Sequence, residues 1–256
     1  PTFENYLEQF SQFAQLLPKG GSLIYCAEDE YVVNIAAQLP EDIHKLPYTL
    51  PPYHVKEGIT ILHTPGGEVP LKIFGQHNLL NLEGARLICQ ELDIDGEAFY
   101  DAIQSFVGAS KRLELVASNA NTAIYKDFAH SPSKLKATIQ AVKEQFPGRK
   151  LTACFELHTY SSLNKDFLSQ YAHAMDDAEK SIVFYSKHAL ELKRLKHFDS
   201  DDVVNAFKRN DIQVYNETRE LQEFLVNAGW NDHNLLLMSS GNFFGLDLDA
   251  LSAHII

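Results

Sequence analysis

The sequence predicts an α/β protein with two domains, and three features of the chain support this fold class. After Leu113, short apolar strands alternate with helices, a pattern typical of a mostly parallel sheet covered on both faces. Before that point, helical segments flank a β-hairpin pattern. Between the two regions, Gly108-Ala-Ser110 follows a helical segment. We therefore place the boundary at this tripeptide, with one domain over residues 1–108 and the other over residues 109–256.

The first domain begins with a helix, because its aromatic residues recur at helical spacing. Four prolines between residues 39 and 58 predict an irregular connection, and Pro65-Gly-Gly67 predicts the turn of a hairpin. The predicted elements, in chain order, are a helix at 1–17, a strand at 22–26, a helix at 31–38, hairpin strands at 59–63 and 69–74, and helices at 78–91 and 96–106.

The second domain is predicted from apolar runs of strand length separated by helical patterns. Its predicted strands are at 113–117, 123–127, 151–155, 181–185, 213–215 and 234–238. Its predicted helices are at 133–145, 166–175, 200–208, 219–228 and 245–254.

Composition excludes several classes of function. The 256 residues include 34 acidic and 22 basic side chains, and a formal charge of −12 disfavours sequence-independent binding of nucleic acid. No apolar run approaches the length of a membrane span, so we expect no membrane insertion. Three widely separated cysteines predict reduced thiols in the cytoplasm, with Cys154 in the core. We predict no metal site, since the four histidines considered, His158, His173, His188 and His233, lack the spacing of a helical metal pair.

Polar residues follow several of the predicted strands at the point where each strand ends. In an open parallel sheet, ligands lie beyond the carboxyl ends of the strands. We therefore expect the functional site at that edge. The polar segments are Phe128-Ala-His130-Ser-Pro132, Glu156–Ser162, Ser186-Lys-His188 and Ser239-Ser-Gly-Asn242.

Three short motifs carry further information in combination. They are Gly75-Gln-His77-Asn78-Leu-Leu-Asn81, Lys111-Arg112-Leu-Glu-Leu115 and Lys126-Asp127-Phe-Ala-His130-Ser-Pro132. Taken singly, each is weak: an asparagine at a helix start is more often a cap, and Arg112 alone would be a surface residue. In this order and spacing they resemble the Mur ligase family, the cytoplasmic enzymes that form amide bonds in peptidoglycan precursors.

The resemblance covers essentially the whole chain and implies a fold for each part. Residues 1–108 would be the later part of the central ATP-binding domain, and residues 109–256 a Rossmann-like C-terminal domain that binds the amino acid or peptide. It implies that Asn78 and Asn81 lie against the adenine of ATP. The residues assigned to ATP are His77, Asn78, Asn81, Arg112 and Asp127.

Within the family, the segment Phe155–Ser162 distinguishes two branches. Members that add L-alanine carry arginines at positions occupied here by Thr159 and Ser162, and such arginines hold a carboxylate with two hydrogen bonds. Glu156 and the segment Leu237–Gly245 instead resemble the murein peptide ligase branch. One departure is Ser131, where that branch usually has a second histidine.

The resemblance then implies an ATP-dependent amide ligase of peptidoglycan recycling. Such an enzyme joins UDP-N-acetylmuramate to the tripeptide L-Ala-γ-D-Glu-meso-diaminopimelate through an acyl phosphate, with Mg²⁺. The residues that it would assign to catalysis are Arg112, Asp127 and His130. Those that it would assign to the peptide are His130, Glu156, His158, Ser239 and Asn242.

The sequence contains no G-x-x-x-x-G-K-[ST] phosphate cradle. We therefore expect the phosphate-binding and Mg²⁺-binding groups upstream of Pro1, and no ligation by this chain alone. Two other functions stay open: a UDP-N-acetylmuramate–L-alanine ligase, and a non-catalytic Rossmann-like binding module. A purely structural α/β domain is disfavoured by the polar residues beyond the strand ends.

Overall fold

A computed structural model describes residues 2–256; Pro1, at the start of the first predicted helix, lies outside the described residues. The chain divides into two compact units, of which the first ends at Phe106 and the second spans Val107–Ile256. Among residues 2–256, no helix combines the length and the apolar character needed to cross a membrane.

The first unit contains two small sheets and four helices within its described part. Its elements are α1 (Phe3–Ala14), β1 (Ser22–Cys26), α2 (Glu30–Gln38), β2 (His44–Tyr48), β3 (Tyr53–Lys56), β4 (Ile59–Thr64), β5 (Gly67–Leu71), α3 (Gln76–Glu91) and α4 (Gly96–Ile103). Strands β1 and β2 form a parallel pair, and β3, β4 and β5 form an antiparallel sheet in that order.

The predicted irregular connection at residues 39–58 is wrong, since it contains β2 and β3. Pro47 lies inside β2, opposite Tyr25 of β1. A proline is tolerated there because a two-stranded sheet leaves one side of each strand unpaired. The predicted hairpin exists as β4 and β5, and β3 adds a third strand to it.

The antiparallel sheet of the first unit has one buried and one exposed face. Leu62, Val69 and Leu71 are buried and pack with Leu79 of α3 and Phe99 of α4. Strand residues alternate between faces with a period of two, so the residues between these positions point to solvent.

The second unit is built on one six-stranded sheet. Its elements are β6 (Glu114–Ser118), β7 (Ala123–Asp127), α5 (Pro132–Gln145), β8 (Lys150–Leu157), β9 (Lys180–Tyr185), α6 (Lys187–Leu192), α7 (Ser200–Phe207), β10 (Gln213–Tyr215), α8 (Thr218–Asn227), β11 (His233–Met238) and α9 (Leu248–Ile255). The strand order is β10-β9-β8-β11-β7-β6, and only β6 runs antiparallel to its neighbour. The α/β fold class with a mostly parallel sheet is confirmed.

The predicted helix at 166–175 is wrong, because its regular part is a short 3₁₀ turn at Leu168–Tyr171. The Tyr171 ring packs on Phe155 of β8 and Phe207 of α7, and a left-handed residue, His173, follows at φ 62°. Tertiary packing therefore overrides helical propensity here. Helix α6 was not predicted; it has six residues, and the Ser186 hydroxyl caps it by accepting from the Ala189 N–H at 3.2 Å.

The two central strands, β8 and β11, are almost entirely buried, in keeping with their mostly apolar sequences. Cys154 of β8 is fully buried, as predicted, and burial raises the pKa of its thiol. Asn234 of β11 is buried with its side-chain oxygen accepting from the Ala123 N–H at 3.0 Å, which joins the starts of β11 and β7.

His233 provides a test of this packing through pH. Its Nε2 lies 2.8 Å from the Thr152 hydroxyl, and burial, reinforced by Lys180, lowers the pKa of the imidazole. The unfolded chain therefore binds the proton more readily, and the folded state loses stability as the pH falls below about 6.5. We expect the stability of the wild type to fall more steeply than that of His233→Gln, by up to about 1.4 kcal/mol per pH unit.

The measurement is urea unfolding between neutral and mildly acid pH, followed by the fluorescence of Trp230. This residue is the single tryptophan and lies 5.3 Å from His233 between ring centroids, so it reports on the second unit. His197→Gln, at an exposed position, should keep the wild-type slope. If the free energy of unfolding changed equally with pH in the wild type and in His233→Gln, the lowered pKa of His233 would be contradicted.

Candidate functional site

The carboxyl ends of three neighbouring strands place the predicted site residues of the second unit side by side. Met238 of β11 pairs with Phe155 of β8 on one side and with Asp127 of β7 on the other. The Ser239 N–H donates to the Asp127 carbonyl oxygen at 2.9 Å, which continues this row into the loop after β11. The polar segments after these strands therefore meet at one edge, as the strand order requires.

Asp127 is buried, and its carboxylate organises two segments of the chain. Oδ2 accepts from the Leu113 N–H at 2.8 Å, and Oδ1 accepts from the Ala129 N–H at 2.7 Å and from the Thr138 hydroxyl at 3.3 Å. Three donors stabilise a buried charge that would otherwise be costly. The carboxylate thus holds the segments that carry Arg112 and His130.

Arg112 is exposed and lies over the Phe128 ring, with its guanidinium carbon 5.3 Å from the ring centroid. Its neighbours Lys111 and Leu113 both have left-handed backbones, at φ 57° and 43°. Non-glycine residues in this region are strained, and the hydrogen bond from the Leu113 N–H to Asp127 helps to hold the strained segment. Arg112 forms no ion pair with the Asp127 carboxylate. The guanidinium is exposed to solvent, whereas the carboxylate is buried.

His130 follows in the same loop and is fixed through the backbone. Its Nδ1 lies 2.9 Å from the Phe128 carbonyl oxygen, and its ring contacts the Phe128 ring edge to face at 5.3 Å. The Tyr171 hydroxyl donates to the His130 carbonyl oxygen at 2.6 Å. The imidazole is only half-buried, and Nε2 is the ring nitrogen left to meet a ligand.

Glu156 is the second buried carboxylate at this edge. Oε2 accepts from the Ser239 hydroxyl and from the Phe243 N–H, the latter at 2.8 Å, and Oε1 lies 3.5 Å from Nδ1 of His158. The Ser239 oxygen in turn accepts from the Gly241 N–H at 2.6 Å. Glu156 therefore ties the end of β8 to the loop after β11.

The loop after β11 is tightly folded around this carboxylate. Phe243, Phe244 and Gly245 are consecutive left-handed residues, at φ 52°, 54° and 91°. The exposed Asn242 caps the turn, because its side-chain oxygen accepts from the Gly245 N–H at 3.3 Å. A Cβ on Gly241 would lie 2.6 Å from Nδ1 of His158 and 2.9 Å from Oε2 of Glu156, so any side chain there would force these two groups to move.

A pocket of about 160 Å³ lies beside this loop, at the ends of β7 and β11. Its walls combine apolar side chains with two lysines and the polar loop. The lining residues are Lys111, Lys126, Asp127, Leu237, Ser239, Gly241, Asn242, Phe243, Leu246 and Leu248. Lys126 pairs with Glu114 at 2.9 Å, and the pKa of Glu114 is lowered by hydrogen bonds from the Lys111 N–H and from Lys126.

The segment that distinguishes the two branches in the sequence forms a closed turn. The Ser162 N–H donates to the Thr159 hydroxyl oxygen at 3.0 Å, and the two hydroxyls lie 2.9 Å apart. Ser162 is fully buried, at 0% exposure. The long side chain of an arginine would therefore have no room at position 162 in this arrangement.

Lys193 is a site neighbour that sequence reasoning missed. Its ammonium donates to the His158 carbonyl oxygen and lies 4.8 Å from the centroid of the exposed Tyr160 ring. Partial burial lowers the pKa of Lys193, and the negative charge of Glu156 opposes this shift. No motif signalled this residue, because it follows α6, a helix that the sequence did not predict.

In the first unit, the predicted nucleotide residues lie at the start of α3. Gly75 adopts φ 88° as the chain enters the helix, and the Asn78 amide donates to the Phe74 carbonyl oxygen at 2.8 Å. Asn81 is exposed one turn further on, while His77 and Asn78 are half-buried. Asn78 thus uses one donor locally and keeps its side-chain oxygen and second N–H for another partner.

Comparison with known families matches residues 111–241 to the model described as Mur ligase, glutamate ligase domain. This segment is just over half of the chain and contains all the site residues of the second unit named from the sequence except Asn242.

Two curated relatives illustrate the sequence similarity. A UDP-N-acetylmuramate–L-alanine ligase from Ruthia magnifica is 26% identical, covering 99% of this chain and 58% of the relative. The enzyme of the same name from Desulfitobacterium hafniense is also 26% identical, covering 92% of this chain and 55% of the relative. The chain thus spans about half the length of the curated relatives it matches.

Solved structures share the fold. A UDP-N-acetylmuramate-alanine ligase from Thermotoga maritima gives a TM-score of 0.67 at 18% identity, covering 99% of this chain and 54% of that one. A murein peptide ligase from Psychrobacter arcticus gives a TM-score of 0.61 at 18% identity, covering 98% of this chain and 55% of that one. The MurF ligase of Thermotoga maritima, in complex with ADP, gives a TM-score of 0.71 at 15% identity, covering 99% of this chain and 57% of that one.

Replacing Glu156 tests its role in holding the loop. Glu156→Ala removes the acceptor for the Ser239 hydroxyl and the Phe243 N–H, and unsatisfied buried donors cost about 1–3 kcal/mol. We expect a loss of that size in urea unfolding followed by Trp230 fluorescence. Glu156→Gln keeps one acceptor oxygen and should lose less. An alanine variant as stable as the glutamine variant would show that these hydrogen bonds do not hold the loop.

Gly241 tests the same contact sterically. Gly241→Ala forces the His158 ring and the Glu156 carboxylate to move, and overpacking of this kind costs about 1–3 kcal/mol. Gly148→Ala is the matched control, since a Cβ at Gly148 meets no atom within 4 Å. Urea midpoints and the ring resonances of His158 in NMR spectra would report the change. Unshifted His158 signals in Gly241→Ala would refute the close approach.

Proposed function

The chain belongs to the Mur ligase family, and from this premise we propose that it is part of an ATP-dependent ligase. In the reaction, the amine of an amino acid or peptide is joined to the carboxylate of a UDP-N-acetylmuramate substrate. The observation that carries this proposal is the family match over residues 111–241, which spans most of the site at the carboxyl edge of the second unit. We propose a cytoplasmic location for the enzyme, which is consistent with its three free thiols.

We propose further that the acceptor is a peptide, the murein tripeptide L-Ala-γ-D-Glu-meso-diaminopimelate. The closed turn of Thr159 and Ser162 supports this, because it leaves no room for a carboxylate-binding arginine at position 162. Without that arginine, a small amino acid would lack the hydrogen bonds to its carboxylate, whereas a tripeptide offers several other groups for recognition. A murein peptide ligase is also among the proteins that share this fold.

The second unit would hold the peptide with the exposed groups of its carboxyl edge. We assign substrate contacts to His130, His158 and Asn242, whose side chains are exposed or half-buried. Glu156 and Ser239 would act as positioning residues, because their side chains are buried and bonded to each other. The Ser240 hydroxyl is buried without a hydrogen-bond partner among the described residues.

In each unit, considered by itself, some side chains suit contacts with ATP. Asn78 and Asn81 fit an adenine edge, since their amides can donate and accept. Arg112 fits the ribose and phosphate side through its exposed guanidinium, and Asp127 would position it through the Leu113 N–H. ATP would activate the carboxylate by transferring its γ-phosphoryl group to it with release of ADP, and the amine would then displace phosphate from this acyl phosphate to form the amide bond. No residue of this chain is assigned to Mg²⁺ or to a phosphate cradle, whose motif the sequence does not contain.

A second function, ligation of L-alanine to UDP-N-acetylmuramate, is favoured by the sequence relatives. Several curated relatives at 22–27% identity carry the name UDP-N-acetylmuramate–L-alanine ligase. The two functions share the reaction and differ in the acceptor, so the acceptor is what an experiment must distinguish.

The deciding experiment measures binding of the tripeptide and of L-alanine to the isotope-labelled chain by NMR, without ATP. We expect the tripeptide to shift resonances of residues 128–130, 156–162 and 239–245, and to bind at least about tenfold more tightly than L-alanine. Each added hydrogen bond to a charged group contributes about 1.5–3 kcal/mol, and 1.4 kcal/mol corresponds to a tenfold change.

His130→Gln should weaken tripeptide binding, whereas His254→Gln should not, because His254 bonds to the Ala250 carbonyl of its own helix. Preferential binding of L-alanine would establish the second function instead. Shifts from neither compound would refute the proposed acceptor site in this chain.

A further inference from the structure

Two histidines and a glutamate lie together on the exposed face of the antiparallel sheet in the first unit. Glu68 of β5 is directly opposite His63 of β4, and His54 of β3 is opposite Ile61, two residues along β4 from His63. The buried Leu62 and Val69 alternate with these positions, so period-two geometry puts the three side chains on the solvent side. Each of the three strands contributes one residue.

The three side chains approach closely enough to share one ion. Nδ1 of His54 lies 2.8 Å from Nε2 of His63, and the ring centroids are 4.9 Å apart. One carboxylate oxygen of Glu68 completes the group, with all three ligand atoms within 4.8 Å of one another. In tetrahedral coordination, ligands about 2.0–2.2 Å from a Zn²⁺ ion lie about 3.3–3.6 Å from each other. Small rotations of these side chains would reach that spacing.

The contact between the two imidazoles is itself informative. Two ring nitrogens at hydrogen-bond distance must share a proton, one ring donating and the other accepting. A metal ion can replace that proton, because it accepts a lone pair from both nitrogens at once. The carboxylate of Glu68 supplies the negative charge that favours a cation at this position.

The backbone around the cluster is held independently of any ion. The Thr64 hydroxyl donates to the Gly67 carbonyl oxygen at 2.7 Å, which fixes the turn between His63 and Glu68. The His63 N–H donates to the Pro52 carbonyl oxygen at 2.9 Å, which holds β4 against the start of β3. His63 and Glu68 are exposed, so an ion could enter without opening the sheet.

We propose that His54, His63 and Glu68 form a binding site for a divalent transition-metal ion, with Zn²⁺ as the best match. Two imidazoles and one carboxylate are a donor set that zinc takes in proteins, and they leave a fourth position for water. The ion links β3, β4 and β5 and stabilises the first unit. The site is separate from the proposed ligase chemistry, which assigns no role to this sheet.

The sequence did not reveal this site, because the histidines lie on strands. The spacing expected of a metal pair on a helix is four residues, whereas His54 and His63 are nine apart and Glu68 is five further on. Hairpin pairing brings them together, and the register of β3, β4 and β5 is needed to see it.

Calorimetric titration of the metal-free chain with Zn²⁺ tests the proposal. We expect one ion per chain with these three ligands, and at least about tenfold weaker binding in His54→Gln and in His63→Gln. Glu68→Gln should weaken binding less, since an amide oxygen remains. His44→Gln and His197→Gln are the matched controls, because both histidines are exposed and belong to no such group in the described chain, and they should bind Zn²⁺ as the wild type does.

A second readout separates this site from nonspecific surface binding. X-ray absorption at the zinc edge should show two imidazole nitrogens and oxygen ligands at about 2.0–2.2 Å, and Zn²⁺ should raise the melting temperature of the wild type but not of His63→Gln. Loss of binding in the control variants to the same degree, or unchanged binding in His54→Gln and His63→Gln, would overturn the proposal.

Discussion

The second unit depends on two buried carboxylates that flank the central strand β11. Glu156 lies on β8 and Asp127 on β7, and both strands pair with β11. A buried charge is tolerated only when hydrogen-bond donors surround it. The donors here are backbone N–H groups and hydroxyls of the adjacent loops, so the cost of burying each charge fixes the shape of a loop.

This arrangement divides the polar residues of the edge into two groups. Asp127, Glu156 and Ser239 are buried and bonded to the protein itself, and they hold strained backbone at Leu113 and Phe243. Arg112 and His158 are exposed or half-buried and can meet a ligand. In a site of this type, the buried residues hold the loops in place and the exposed residues are available to bind the substrate.

Many helices and strands could be predicted from the sequence, because local pattern decides them. Strand β1 has the predicted bounds, and the alternating pattern after residue 113 yields the strands of a mostly parallel sheet. The failures have tertiary causes. Residues 39–58 form strands despite their prolines because β1 and β4 offer pairing partners, and Leu168–Tyr171 stops short of a full helix because Tyr171 packs on Phe155.

The sequence alone determined the fold class, the strand–helix alternation of the second unit and the edge of the sheet at which polar residues collect. These follow from periodicity and from the rule that parallel strands end on the same side. Tertiary structure alone decided which of those polar residues are buried and hold the loops in place. It also decided that Lys193 lies beside them and that His54, His63 and Glu68 meet on one face of the antiparallel sheet. Such facts depend on strand register and on burial, which bring together residues far apart in the chain and which no local pattern encodes.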